Sequence, residues 1–109
     1  MQYYFDMAVV PVKSLVEGVT IKVVHGERIM LSFVDFEAGA SVPEHIHPHE
    51  QMGYVIAGEV EFDINGEKKR CQPGDAYIIP SNIHHTVKVS SDGPAKVLDI
   101  FSPPREEFK

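Results

Sequence analysis

Hydrophobic and polar residues alternate over short stretches along most of the chain, which is the two-residue period of strands buried on one face. Residues 59–64 show this period most plainly, because every second side chain is apolar and those between are acidic. Asn65 and Gly66 follow directly, and this dipeptide favours a tight hairpin turn. No segment sustains the 3.6-residue period of an amphipathic helix. The pattern therefore predicts a chain made of strands.

The other strands are predicted from β-branched and aromatic stretches that are separated by turn-forming residues. They cover residues 3–12, 19–24, 28–37, 52–58, 67–71, 76–80, 84–89 and 95–102. Pro11 interrupts the first stretch, which suits an edge strand or an arm, and the tail 102–109 allows one helical turn. The regular spacing of turns predicts an all-β sandwich or barrel. At 109 residues the chain supports one core, so a single domain over 1–109 is expected.

Composition and charge argue against two classes of partner. The net charge is −6 with neutral histidines, and the only basic cluster, residues 68–70, follows the hairpin turn, so nucleic-acid binding is disfavoured. An anionic substrate would have to be held by local cations. No apolar run approaches the ~20 residues that span a bilayer, and the N-terminus lacks a signal-peptide pattern. We therefore predict a cytoplasmic protein without a membrane partner.

Cys71 is the only cysteine, so it cannot form a disulfide within the chain. Its isolation agrees with a reducing compartment. We expect a small, half-buried strand residue rather than a nucleophile, because no histidine is near it in sequence.

Candidate chemistry concentrates between Gly39 and Gly58. His45 and His47 are two residues apart and Gln51 is four beyond His47, so in one extended strand all three side chains point to the same face. Neutral imidazoles and an amide carbonyl that converge in this way are typical of a metal site.

Four further residues belong to this interpretation. His85 can supply the missing metal ligand from a later strand, whereas its neighbour His84 must point to the other face and is expected to be structural or to support a ligand. His49 shares the phase of the ligands and is expected at the rim of the site. Glu50 has the opposite parity, so it is expected to point away.

These residues resemble the two motifs of the cupin family. The first motif consists of a glycine, a His-x-His pair, a glutamate and a second glycine, and it is matched, with glutamine in place of glutamate, by Gly39, His45, His47, Gln51 and Gly58. The second motif is matched at its first glycine, its proline and its histidine by Gly74, Pro80 and His85, while two positions are replaced by Asn82 and Val89. Asparagine tolerates positive φ better than most residues, so its place here is a mild departure.

The resemblance implies a double-stranded β-helix, or jelly-roll, barrel around one divalent transition metal ion. Nickel, zinc, manganese and iron all accept such nitrogen and oxygen ligands. Three histidines and a glutamine are neutral, so they would leave the ion its full charge and make it a stronger Lewis acid. The resemblance also implies a homodimer through the N-terminal arm and a sheet edge, which would cover an edge strand.

A narrower resemblance concerns the C-terminus. The segment 99–105, Asp-x-Phe-Ser-Pro-Pro-Arg, is similar to the ending of pectin-degradation cupins, which linearise unsaturated uronates. The resemblance implies that Asp99 shuttles the proton for ring opening and ketonisation of a 4,5-unsaturated uronate. It further implies that Phe101 walls the pocket and that Arg105 pairs with the carboxylate of this anionic sugar, as a guanidinium fork fits two oxygens.

Three function classes remain open. The first is the uronate-linearising isomerase. The second is a metal-dependent dioxygenase, which requires a redox-active metal and dioxygen. The third is a non-enzymatic sugar-binding or sensory protein, which would bind a ligand and turn nothing over. Separately from these classes, the alternative for the C-terminal residues is that Asp99 faces solvent, Phe101 is core and Arg105 is a surface charge on a loose tail.

Overall fold

A computed structural model describes residues 2–109. The described chain forms ten strands and one 3₁₀ turn at Glu106–Phe108. The strands are β1 (Lys13–Val16), β2 (Val19–His25), β3 (Met30–Phe36), β4 (Ser41–His45), β5 (Glu50–Ala57), β6 (Val60–Ile64), β7 (Glu67–Cys71), β8 (Ala76–Ile79), β9 (His85–Val89) and β10 (Ala95–Ser102). No helix among the described residues is long and apolar enough to cross a membrane.

The strands pair into two antiparallel sheets. One sheet has six strands in the order β1-β2-β3-β10-β5-β8, and the other has four in the order β4-β9-β6-β7. Alternate side chains of most strands point inward, so the apolar inner faces of the two sheets enclose the core. The prediction of an all-β jelly roll is therefore confirmed.

The β6–β7 hairpin forms where the sequence predicted it. Asn65 and Gly66 both have positive φ, 53° and 86°, which a two-residue type I′ turn requires. The register pairs Val60 with Cys71 and Ile64 with Glu67. Cys71 is buried at the end of this hairpin and is only 4% exposed, which is less than the half-buried position expected.

The N-terminal segment is an arm without strand pairing. Residues 2–12 contain only a short turn, and the first strand begins at Lys13. Lys22 ties the arm to β2, because its ammonium group donates a hydrogen bond to the Met7 carbonyl at 2.8 Å. Of the two alternatives for this segment, the arm is the correct one, since Pro11 lacks the amide N–H that a strand pairing needs.

The expectation that His45, His47 and Gln51 lie on one extended strand is wrong. Strand β4 ends at His45, strand β5 begins at Glu50, and residues 46–49 carry the chain from the four-stranded to the six-stranded sheet. Pro48 cannot donate a ladder hydrogen bond, which favours a break in pairing here. The crossing is held by the backbone N–H of Asn82, which donates a hydrogen bond to the His47 carbonyl at 2.9 Å.

Candidate metal and acid–base site

Three histidines converge inside the barrel from three different places in the chain. His45 ends β4, His47 lies in the crossing to β5, and His85 begins β9. Their potential ligand atoms all lie within 4.8 Å of one another, although the sheet pairing places only His45 and His85 side by side. The predicted convergence of the histidines is therefore present, and it is produced by the pairing of β4 with β9 and by the crossing segment rather than by one strand.

Backbone hydrogen bonds set the orientation of all three rings. Nδ1 of His45, His47 and His85 lies 2.9, 3.0 and 2.9 Å from the carbonyl oxygens of Pro43, His49 and Ile83, respectively. A carbonyl oxygen only accepts, so each Nδ1 carries the proton and each Nε2 presents its lone pair to the cluster. This is the second-sphere arrangement that fixes metal-binding histidines.

Burial keeps two of these rings in the neutral form that binds metal. Burial lowers the pKa of His85 to about 4, and it also lowers the pKa of His47, with the nearby Arg105 charge adding to the effect. Nε2 of His85 is buried and has no hydrogen-bond partner among residues 2–109. A buried nitrogen lone pair without a donor is costly, and a bound cation would satisfy it. The donor set thus fits a divalent transition metal.

Gln51 approaches the histidine cluster from the six-stranded sheet. Its side chain is buried on β5, and Oε1 lies 3.1 Å from Nε2 of His47. Because the His47 proton is on Nδ1, Nε2 of His47 and Oε1 of Gln51 are both acceptors, so both could bind a cation. Gln51 also interacts with Asp99, because its side chain acts by a hydrogen bond to lower the pKa of that carboxyl group against the larger, opposite effect of burial.

Asp99 lies on the inner face of β10 and is 9% exposed, so the expectation of a solvent-facing residue is excluded. The hydroxyl of Tyr77 donates a hydrogen bond to its Oδ1. Burial raises the pKa of Asp99 to about 6, although Tyr77, Gln51 and the Arg105 charge each act to lower it. The result is a carboxyl group whose two protonation states are close in energy near neutral pH, which suits general acid–base chemistry.

Phe101 and Arg105 cover the same end of the barrel. Phe101 pairs with Gln51 across the β10–β5 ladder, and its ring lies 5.8 Å from the His47 ring. The guanidinium of Arg105 stacks on Phe101 and Phe108, at 5.2 and 4.2 Å from the ring centroids, and its Nε donates to Glu107 at 2.6 Å. The Arg105 side chain is 17% exposed, so the alternative of a loose surface charge is wrong.

These side chains line one small internal cavity of about 50 Å³. Its wall includes His45, Gln51, His85, Asp99, Phe101 and Arg105. Ligand pockets usually begin at roughly 300 Å³, so the cavity is small for a sugar. Four surface grooves of about 460, 280, 530 and 440 Å³ are larger, but no histidine lines any of them. We therefore assign the site by its chemistry rather than by volume.

Two neighbours of the predicted ligands lie outside the cluster. His49 is half-buried beside the His47 ring, at 5.6 Å between centroids, which agrees with a rim position. His84 is exposed and its Nδ1 lies 3.5 Å from a carboxylate oxygen of Glu44, so of the two expected roles, structural or supporting a ligand, this contact agrees with the structural one. Such an exposed pair contributes little. Glu50 is exposed, as its parity predicted.

Two polar residues of the site, Ser32 and Tyr77, were not predicted from the sequence. Ser32 is 1% exposed, and its hydroxyl, which has no partner within residues 2–109, lies in the cavity wall. Its place in phase with the inward-facing Met30 and Val34 is the signal that would have found it. Tyr77 had no such signal, because an inward tyrosine is usually part of the core.

Both the sequence and the fold of this chain are similar to those of known proteins. The sequence profile of the cupin domain family matches residues 32–101. The pectin degradation protein KdgF of Dickeya dadantii (strain 3937) is 36% identical over 110 residues, which cover 99% of this chain and 99% of that protein. The solved structure of KdgF from Halomonas sp. is 31% identical, covers 100% of both chains and has a TM-score of 0.92. An RmlC-like cupin from Shewanella frigidimarina NCIMB 400 has the same TM-score of 0.92 at 24% identity and shares the fold.

Proposed function

Since this chain belongs to the cupin family, we propose that it is a metal-dependent isomerase that linearises 4,5-unsaturated uronates from pectin or alginate breakdown. One observation carries the proposal: the buried carboxylate of Asp99 and the guanidinium of Arg105 line the same cavity as the histidine cluster. The full-length similarity to a pectin degradation protein supports it.

The proposed reaction needs one group that both removes and returns a proton. The anomeric hydroxyl loses its proton as the bond between C1 and the ring oxygen breaks, which leaves an aldehyde at C1 and an enolate at C5. Carbon 4 then gains a proton, and the enolate becomes a ketone. Asp99 takes the first proton and delivers the second, so the reaction balances without a co-reactant. Its raised pKa fits both steps.

Arg105 and Phe101 orient the substrate in this proposal. The guanidinium offers a fork that matches the uronate carboxylate, and its stacking on Phe101 holds the fork towards the cavity. This local cation explains how a protein with a net charge of −6 binds an anion. Because the cavity is only about 50 Å³, the side chains over it, including Arg105 and Phe108, must move when a sugar enters.

The proposed metal site consists of His45, His47, Gln51 and His85. When bound there, a divalent nickel, zinc, manganese or iron ion would polarise the substrate oxygens. A dioxygenase would use the same ligands but would require a redox-active metal and would consume oxygen, so metal identity and oxygen uptake separate the two functions.

We also propose a homodimer that buries the N-terminal arm and the edge of the six-stranded sheet. Tyr3 and Tyr4 of the arm are 78% and 88% exposed. The outer face that β5 shares with the edge strand β8 exposes further large apolar side chains: Met52, Tyr54, Ile56 and Ile78. Sedimentation at micromolar concentration should show a dimer, and a monomer alone would contradict it. The cytoplasmic location and the single domain stay predictions.

The deciding experiment incubates the metal-loaded protein with the product mixture of a pectate or alginate lyase. We expect the conjugated ultraviolet absorbance of the unsaturated uronate to fall faster than in buffer, with no oxygen uptake. Protein treated with a chelator is the control and should resemble buffer. Oxygen uptake would favour the dioxygenase, and sugar binding without turnover would favour the binding protein.

A further inference from the structure

Tyr77 is a buried tyrosine whose hydroxyl group donates to Oδ1 of Asp99. We propose that Tyr77 is the positioning residue of the site: it holds one carboxylate oxygen of Asp99 so that the other oxygen is presented to the cavity. This inference rests on the proposed function, because it concerns the residue that is proposed to move the proton.

The contact is built into the sheet register. Ser32, Asp99, Gly53 and Tyr77 form one row across β3, β10, β5 and β8. Tyr77 and Asp99 are therefore two strands apart, which is roughly 10 Å between backbones. Only a long side chain that lies flat across the intervening strand spans this distance, and tyrosine is long enough to do so.

Gly53 provides the space for that side chain. A Cβ atom at this position would lie 2.1 Å from Cζ of Tyr77 and 2.2 Å from its hydroxyl oxygen, so no other residue fits beneath the ring. The ring of Phe62, from the opposite sheet, lies 4.0 Å from the Tyr77 ring between centroids. Tyr77 is thus enclosed between Gly53 and Phe62, and its hydroxyl has a fixed direction.

The hydrogen bond from Tyr77 fixes the orientation of the Asp99 carboxylate. Rotation of the carboxylate would break the hydrogen bond to Tyr77 and leave a buried hydroxyl unpaired, which is unfavourable. The second oxygen is therefore the one that exchanges protons with the substrate. Tyr77 keeps its own proton throughout, so it acts through Asp99 and does not touch the reacting atoms.

The first test is Tyr77→Phe, which removes only the hydroxyl. We expect kcat on unsaturated uronate to fall roughly 10- to 100-fold, with KM changed by less than about twofold and metal content unchanged. Tyr54→Phe is the matched control, because it removes the same group from an outward-facing position on the adjacent strand. A parental kcat in Tyr77→Phe, or a loss confined to KM, would overturn the proposal.

Two further variants test whether the effect passes through Asp99. In an Asp99→Asn background, Tyr77→Phe should cost less than about twofold in kcat, because the group that it positions is already disabled. If Tyr77→Phe lowers kcat by the same factor in the Asp99→Asn background as in the parent protein, the proposal is overturned. Gly53→Ala keeps the hydroxyl but displaces the ring, so it should lower kcat by a similar factor to Tyr77→Phe.

A crystal structure of Tyr77→Phe separates this inference from the proposed function. We expect the Asp99 carboxylate to occupy more than one orientation in the variant. If the parent protein does not turn over unsaturated uronate, the proposed function fails, and this structure alone decides the positioning role. A single, unchanged Asp99 orientation would overturn the positioning role whether or not the enzyme is active.

Discussion

The two sheets contribute different chemistry to one cavity. The four-stranded sheet supplies His45 and His85, candidate nitrogen ligands whose tautomers are set by backbone carbonyls. The six-stranded sheet supplies Gln51 and Asp99, a candidate oxygen ligand and a buried carboxylate. In the proposed function the candidate ligands bind the ion and Asp99 moves the proton, so the two activities should be separable by mutation.

Loss of a histidine from the four-stranded sheet should have the largest effect. His85→Ala removes an imidazole from a set of three, so we expect loss of metal and of turnover well beyond the roughly 10- to 100-fold cost of a supporting residue. Metal analysis after dialysis measures this loss. His84→Ala is the matched control, because its side chain is exposed on the other face. Full metal content in His85→Ala would show that the cluster is not the ligand set.

Asp99→Asn should separate proton transfer from metal binding most clearly. The substitution keeps the shape of the side chain and removes the base, so turnover should fall by roughly 10²–10⁴-fold while metal content and fold are retained. Uronate affinity should be kept or improved, because a negative charge beside an anion has been removed. Steady-state kinetics and calorimetric titration measure the two effects. Turnover at the parental rate would exclude Asp99 as the proton shuttle.

Gln51→Glu tests the residue that joins the two regions. A carboxylate should keep or tighten metal binding, but it reduces the charge of the site and places a second anion beside Asp99. We expect turnover to fall about tenfold, or roughly 1.4 kcal/mol in the barrier, with metal retained. Equal turnover of Gln51→Glu and the parent protein, measured at equal metal content, would show that a neutral ligand is not needed at this position.

Cys71→Ser should have the smallest effect on activity. Cys71 lies on the four-stranded sheet but lines no part of the site cavity. Its thiol is buried, so a hydroxyl without a partner should lower the free energy of unfolding by about 1–3 kcal/mol and leave turnover unchanged. Urea denaturation and the uronate assay measure these separately. A loss of turnover in the folded variant would place Cys71 in the chemistry.

Most strands and turns were predictable because their signals are local. The alternation in β6, the Asn65 and Gly66 turn and the inward position of Asp99 relative to Phe101 can each be derived from a few adjacent residues. The candidate metal ligands came from residue spacing and from the motif resemblance. Counting residues along one strand led to His45 and His47, which do converge with His85, but for a wrong reason, because the chain changes sheets between His45 and Glu50.

The sequence by itself determined the all-β class, the hairpins and the identity of the candidate ligands, because strand periodicity and turn preferences depend on neighbouring residues. Tertiary structure decided which groups meet. The contact of Tyr77 with Asp99 requires the register of three paired strands and the absence of a side chain at Gly53. The burial of Arg105 requires the C-terminal turn to pack against Phe101. The Tyr77–Asp99 contact joins residues 22 positions apart in the chain, and no local pattern encodes it.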